Sequence, residues 1–144
     1  MAYQPFKSRI TQWGAPGTRS ANFAGTTLNS LANGSESAVV TYDNSTNRDL
    51  YGTVTIKLGS ITPTTGGSIT LRVTLNDGTD TADRIGGDLY VIPLTSGASA
   101  KIAVLNMIRL YPYSLRFSIV NNAGVALAAS GNEIYVRGFD EEMV

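Results

Sequence analysis

Residues 69–79 read Ile69-Thr70-Leu71-Arg72-Val73-Thr74-Leu75-Asn76-Asp77-Gly78-Thr79. Ile69, Leu71, Val73 and Leu75 take every second position, and Thr70, Arg72, Thr74 and Asn76 lie between and after them. Side chains alternate across a strand, so this period of two puts the aliphatics on one face and the polar residues on the other. The Asn-Asp-Gly-Thr stretch that follows is turn chemistry, because Asn and Gly tolerate the positive φ of a tight hairpin. The unit of the fold is a half-buried antiparallel strand closed by a turn.

The same unit recurs on either side. Leu50 to Leu58 alternates, with Val54, Ile56 and Leu58 against Thr53, Thr55 and Lys57. Val39 to Tyr42, Leu89 to Leu94, and Leu115, Phe117 and Ile119 add further strands. Pro93 marks an edge or a strand end, since proline cannot donate to a central ladder. Ile102 to Leu110 is more continuously apolar, as expected of a strand buried on both faces, although its Ala, Leu and Met also allow a helical alternation. Val125 to Leu127 and Ile134 to Phe139 are expected to form a last pair around Ser130-Gly131-Asn132. Seven or eight short strands with frequent turns predict an all-β fold, a single antiparallel β-sandwich or jelly roll. Gly, Ser, Thr and Asn supply 54 of the 144 residues, which suits turns and strands and disfavours helices.

Residues 1–35 lack any sustained period, whereas 36–144 carry the strand pattern. The division expected is an extended N-terminal arm, 1–35, and a sandwich body, 36–144. So long an irregular stretch either packs across the body or is ordered by a partner. Charge follows the same division. The chain has 11 Lys+Arg and 11 Asp+Glu, but the arm carries Lys7, Arg9 and Arg19 with no acidic residue. The last five residues carry Asp140, Glu141 and Glu142 with no basic one. The zero net charge is thus a basic arm, a neutral body and an acidic tip. Tyr3, Phe6, Trp13 and Phe23 set large rings in the polar arm, and such rings need burial on the body or in a neighbour.

The chain has no His and no Cys, which excludes imidazole bases, thiol nucleophiles, disulfides and zinc fingers. Zero net charge argues against sequence-independent nucleic-acid binding. No segment has the apolar length of a membrane helix, and residues 1–7 lack the apolar core of a secretory signal. Asp77, Asp80, Asp83 and Asp88 cluster in one loop, yet their spacing does not match a calcium-binding EF-hand, and Asp is an ordinary turn residue. No pair of carboxylates lies on adjacent same-facing strand positions, as glycoside hydrolysis would need. Tyr51, Tyr90, Tyr111, Tyr113 and Tyr135 fall in or beside strands, either as sheet-margin packing or as stacking platforms for sugars.

The run LRFSIVNNAGVALAASGNEIYVRGFDEE, Leu115 to Glu142, resembles the closing segment of small structural proteins of tailed bacteriophages. A strand, an Asn-Gly turn, a short apolar stretch and a Ser-Gly-Asn turn precede a final strand with an acidic end. The resemblance implies a non-enzymatic virion protein, a capsid decoration or cement protein that binds and stabilises the assembled shell. It implies the major capsid protein and other copies of this chain, as a dimer or trimer, for partners. Nucleic acid, membrane, small-molecule substrate and cofactor are not expected. Its location would be the capsid surface, after synthesis in the bacterial host cytoplasm. Tyr3, Phe6, Lys7, Arg9, Trp13, Arg19 and Phe23 are the candidate arm contacts. Asp140, Glu141 and Glu142 are the candidate tip, suited to a basic arm from an adjacent copy. The rival readings are a tail-associated receptor or glycan-binding module and a head–tail joining protein.

Overall fold

The alternation in residues 69–75 is realised as one central strand of an all-β sandwich. The structure, a computed structural model, describes residues 9–10, 27–45, 48–76, 87–111 and 114–140. Its strands are β1 (Arg9–Ile10), β2 (Val40–Asp43), β3 (Tyr51–Ile61), β4 (Ser68–Leu75), β5 (Asp88–Pro93), β6 (Ser99–Arg109), β7 (Ser114–Asn122) and β8 (Glu133–Asp140). They form two antiparallel sheets of four, ordered β1-β8-β3-β6 and β2-β7-β4-β5. Among the described residues there is no α-helix, and no helix is long and apolar enough to cross a membrane.

The inward rows of the two sheets make one core. Val54, Ile56 and Leu58 of β3 and Ile134 and Val136 of β8 meet Ile69, Leu71 and Val73 of β4 and Leu115, Phe117 and Ile119 of β7. All are buried, and their alternation with outward Thr, Lys and Arg is the period read from the sequence. Tyr42 of β2 closes one side, its ring edge-on to Phe117 at 6.0 Å. Burial pushes its phenol well above the ordinary tyrosine range, and the nearby Asp49 and Asp43 carboxylates push it the same way. A raised folded-state value means this contribution to stability is complete below about pH 10 and is lost as pH rises through the folded value. The unfolding temperature of the wild type should therefore fall above pH 10, and Tyr42→Phe should flatten that fall, as circular dichroism melts would show.

Two elements depart from expectation. β6 is not buried on both faces: Lys101, Ala103 and Ile108 point inward, but Ile102, Val104 and Met107 are exposed. β6 lies at the edge of its sheet, where an apolar outward row meets no covering layer among the described residues. A mostly apolar run reads the same whether its second face is covered or bare. Val125 to Leu127 is not a strand either. Leu127 is buried in a loop whose backbone bonds Leu31 (3.0 Å) instead of β8.

That loop explains residues 27–35, the described part of the stretch read as arm outside β1. Leu28 is in the core at 1% exposure. Ser30 N–H donates to Ala128 O (3.0 Å), Gly34 N–H to Asn121 O (2.6 Å), and Asn121 N–H to Ser35 O (2.9 Å). This segment packs across the body with its backbone groups paired, without the regular ladder that would have shown as a period.

Candidate functional site

The two sheets end differently on their two sides. On one side β1 pairs with β8, Arg9 opposite Asp140 and Ile10 opposite Phe139. The basic arm and the acidic tip, expected to meet between copies, are thus strand partners within one chain at this point. Tyr3, Phe6, Lys7, Trp13, Arg19, Phe23, Glu141 and Glu142 lie outside the described residues, as do Asp77, Asp80 and Asp83. Among the described residues no three potential metal ligands cluster.

On the other side β6 and β5 are the edges of their respective sheets. Register fixes what they present. Ile102 lies opposite Lys57 and Val104 opposite Thr55, on the outward row of β3. Leu89 lies opposite Arg72 and Val91 opposite Thr70, on the outward row of β4. A bulge lengthens the first row: Asn106 and Met107 together face Thr53, since Gly52 pairs with Ile108 and Val54 with Leu105. Met107 takes φ +55°, a conformation costly for a side chain of its size, and is thereby turned outward while Ile108 stays in the core. Leu89, Val91, Ile102, Val104 and Met107 are 52 to 66% exposed. Natural edge strands are usually blunted by outward Lys, proline or short length, and β6 runs for 11 residues with aliphatics where such charges would stand.

Between the two edges lies a cleft of about 180 Å³, lined by Ile92, Pro93, Leu94 and Thr95 and by residues 99–103, with the closed core side chains of Ile56, Leu58 and Ile69 behind it. Lys101 and Ser99 of β6 form part of its wall.

The described tyrosines fall into two groups, and Tyr113 lies outside the described residues. Tyr51 and Tyr135 stand half-buried on the outward face of the first sheet. Tyr135 donates to Glu133 Oε2 (2.6 Å), which also takes Lys57 Nζ at 3.3 Å. Tyr90 is on the inward row, packed against the core. Burial raises its phenol, with Asp88 and Tyr111 acting in the same sense and a hydrogen bond from the Arg109 backbone opposing.

Three asparagines at strand ends and turns are buried joints. Asn44 Nδ2 donates to Asp49 O (2.8 Å) and Tyr111 O (2.7 Å), and its Oδ1 accepts Asp49 N–H (3.0 Å). Asn121 Nδ2 donates to Leu31 O (2.9 Å) and Val125 O (2.8 Å), and its Oδ1 accepts Ala123 N–H (3.0 Å). Asn132 Nδ2 bonds Ala128 O (2.7 Å) and Asn29 Oδ1 (2.9 Å), and its Oδ1 accepts Gly59 N–H (3.0 Å). Each satisfies a loop's backbone where the ladder stops.

No family model and no curated protein matches the chain. Two solved structures are similar to it. One is the carbohydrate-binding module TmCBM61 in complex with β-1,4-galactotriose, at 9% identity and TM-score 0.34, covering 96% of this chain and 88% of that one. The other is the Yersinia pseudotuberculosis-derived mitogen, at 14% identity and TM-score 0.29, covering 78% of this chain and 80% of that one. At these values neither likeness carries a function to this chain.

Proposed function

We propose that the protein is a non-enzymatic capsid decoration protein of a tailed bacteriophage, which binds the assembled shell and stabilises it. The observation that supports this reading is the β5/β6 margin: two adjacent sheet edges, each with an apolar outward row. Strand β6 at about 3.3 Å per residue is roughly 36 Å long, and two sheets about 10 Å apart with their side chains make a margin some 20 Å wide. The two rows lie on the opposite outer faces of the sandwich, so the row a flat partner surface would cover is that of β6, Ile102, Val104 and Met107, the longer of the two edges. The resemblance of Leu115 to Glu142 to phage structural proteins supports the choice of partner. Binding the shell and not its free subunits stabilises the shell by mass action, and repetition over a lattice multiplies weak contacts.

Arm contacts are the second part of the reading. Leu28 is core, so a truncation that tests them must stop before Thr27. Removing residues 2–26 should leave a cooperatively melting body and lower its co-sedimentation with shells from the same phage by at least about tenfold. Full occupancy by the truncated protein would remove the arm from the mechanism.

A second reading, glycan recognition, is favoured by one observation: Tyr51 and Tyr135 share the outward face of the first sheet. A glycan array decides it, and specific retention of an oligosaccharide that Tyr135→Ala abolishes would replace the capsid reading.

A further inference from the structure

The four sheet edges of the sandwich are not alike. β1 has 2 residues, β2 has 4, and β5 has 6 and ends on Pro93. Short length and proline are the usual devices that keep an edge from pairing with another chain. β6 has 11 residues and no proline, and among the described residues no strand lies beyond it. Its far end is capped, since the Arg109 backbone hydrogen-bonds Tyr90. Between its two register shifts, Lys101 to Leu105 runs in unbroken register against Leu58 to Val54. That stretch is a regular ladder on one side and an open one on the other.

The side chains of this stretch match a second copy of themselves. Residues opposite each other in an antiparallel pair share a face, so a two-fold pairing of β6 with β6 must centre on one residue. Centred on Ala103, it sets Ile102 of each copy against Val104 of the other, two cross-strand pairs of β-branched side chains. Lys101 then falls opposite Leu105, so no like charges meet, and a small side chain sits on the axis. Centred on Val104, Ile102 would face Asn106, and centred on Ile102, Val104 would face Ala100. The zero formal net charge adds no long-range repulsion between copies. We infer that β6 pairs antiparallel with β6 of a second copy about a two-fold axis through Ala103, joining two four-stranded sheets edge to edge. The pairing uses up both β6 edges and so closes at two copies. Ser99 to Leu105 spans roughly 23 Å, and with some 20 Å of sandwich thickness the contact covers roughly 450 Å² per copy. That is the low end for a specific interface, so the dissociation constant expected is on the order of 10–100 µM. Ile102, Val104 and Met107 of both copies would lie on one outer face, and the row proposed to meet the shell stays exposed. Shells play no part in forming the pair.

The test is sedimentation velocity of the full chain, without shells, from about 5 to about 500 µM. The expected result is a monomer–dimer equilibrium within that range. The double variants Ile102→Glu, Val104→Glu and Ile102→Lys, Val104→Lys should each weaken it at least about tenfold, because like charges then face each other across the axis. Mixing the two should restore a dimer with one copy of each, and Val39→Glu should dimerise as the wild type does. The chain has no cysteine, so Ala103→Cys puts a single thiol at the axis. Opposed Cα atoms about 4.5–5.5 Å apart suit a disulfide, and mild oxidation should join two chains. Met107→Cys should not cross-link, because the register holds it roughly 26 Å from its counterpart. A wild type that stays monomeric at about 500 µM overturns the inference, as do trimers or larger rings. So do a dimer that both double variants leave intact and a Met107→Cys that cross-links as fast as Ala103→Cys. The wild-type sedimentation and the two cysteine variants stand alone if a charged variant does not fold.

Discussion

Asn121→Asp should cost roughly 3–6 kcal/mol, enough to leave a domain of ordinary stability at the edge of folding. The side chain is 0% exposed and uses all three of its bonds on backbone groups of two loops. Aspartate has the same shape but no amide donor. Its second oxygen would face the carbonyls of Leu31 and Val125, turning two hydrogen bonds into two oxygen–oxygen contacts. Each buried group left unpaired costs about 1–3 kcal/mol, and a buried charge adds to that. The neighbouring Asn122→Asp is the control, because Asn122 is exposed and a change there should stay within about 0.5 kcal/mol.

The pH dependence separates lost hydrogen bonds from mere misfit. Protonation would let the carboxyl introduced at position 121 donate one bond again, and burial also favours the neutral acid, so both raise its folded-state value. A raised carboxyl contributes its stability below the unfolded value near pH 4 and loses it as pH rises through the folded one. The variant should thus be closer to wild type at pH 4 than at pH 7 in urea titrations. A loss below about 1 kcal/mol, with no such difference, would show that Asn121 does not hold the loops. Hydrogen exchange should also quicken at Leu31 and Leu127 in the variant, since the joint fixes both segments.

What the sequence disclosed and what it hid follow from the same physics. Ile69 to Leu75 and Leu50 to Leu58 were legible because a strand with one wet face writes its orientation into every second residue. The two-sheet sandwich follows from having several such strands. Residues 27–35 were not legible, because they hold to the body through backbone bonds, the side chains of Asn29 and Asn33 and one buried leucine, Leu28, which leave no period. Asn44, Asn121 and Asn132 were hidden for a related reason: asparagine is as common in an open turn as in a buried joint, and burial alone tells them apart. The apolar run Ile102 to Leu110 hid the candidate surface. Both a covered face and a bare one are written with the same letters, and only the position of β6 at the edge of its sheet distinguishes them.

That bare row yields the largest effect expected on binding. The double variant Ile102→Glu, Val104→Glu should fold as the wild type does and bind shells at least about a hundredfold more weakly. Folding is spared because both side chains point away from the core, and the glutamate introduced at position 102 would lie directly opposite Lys57 across the ladder, a favourable pair. Lower strand propensity costs up to about 1 kcal/mol and acts against that gain. Binding is not spared, because covering the margin would now strip water from two carboxylates. A buried charge without a partner costs several kcal/mol, and the lost aliphatic contacts add to the deficit, so about 3 kcal/mol in all is a cautious sum. Val39→Glu supplies the control: it is also an exposed aliphatic, but it adjoins β2 at the opposite edge of the second sheet. If co-sedimentation falls equally for both variants, the loss reflects added charge rather than the margin. If the double variant decorates shells at full occupancy, the β5/β6 margin is not the surface that meets them, and the exposed aliphatics of β6 have another partner or none.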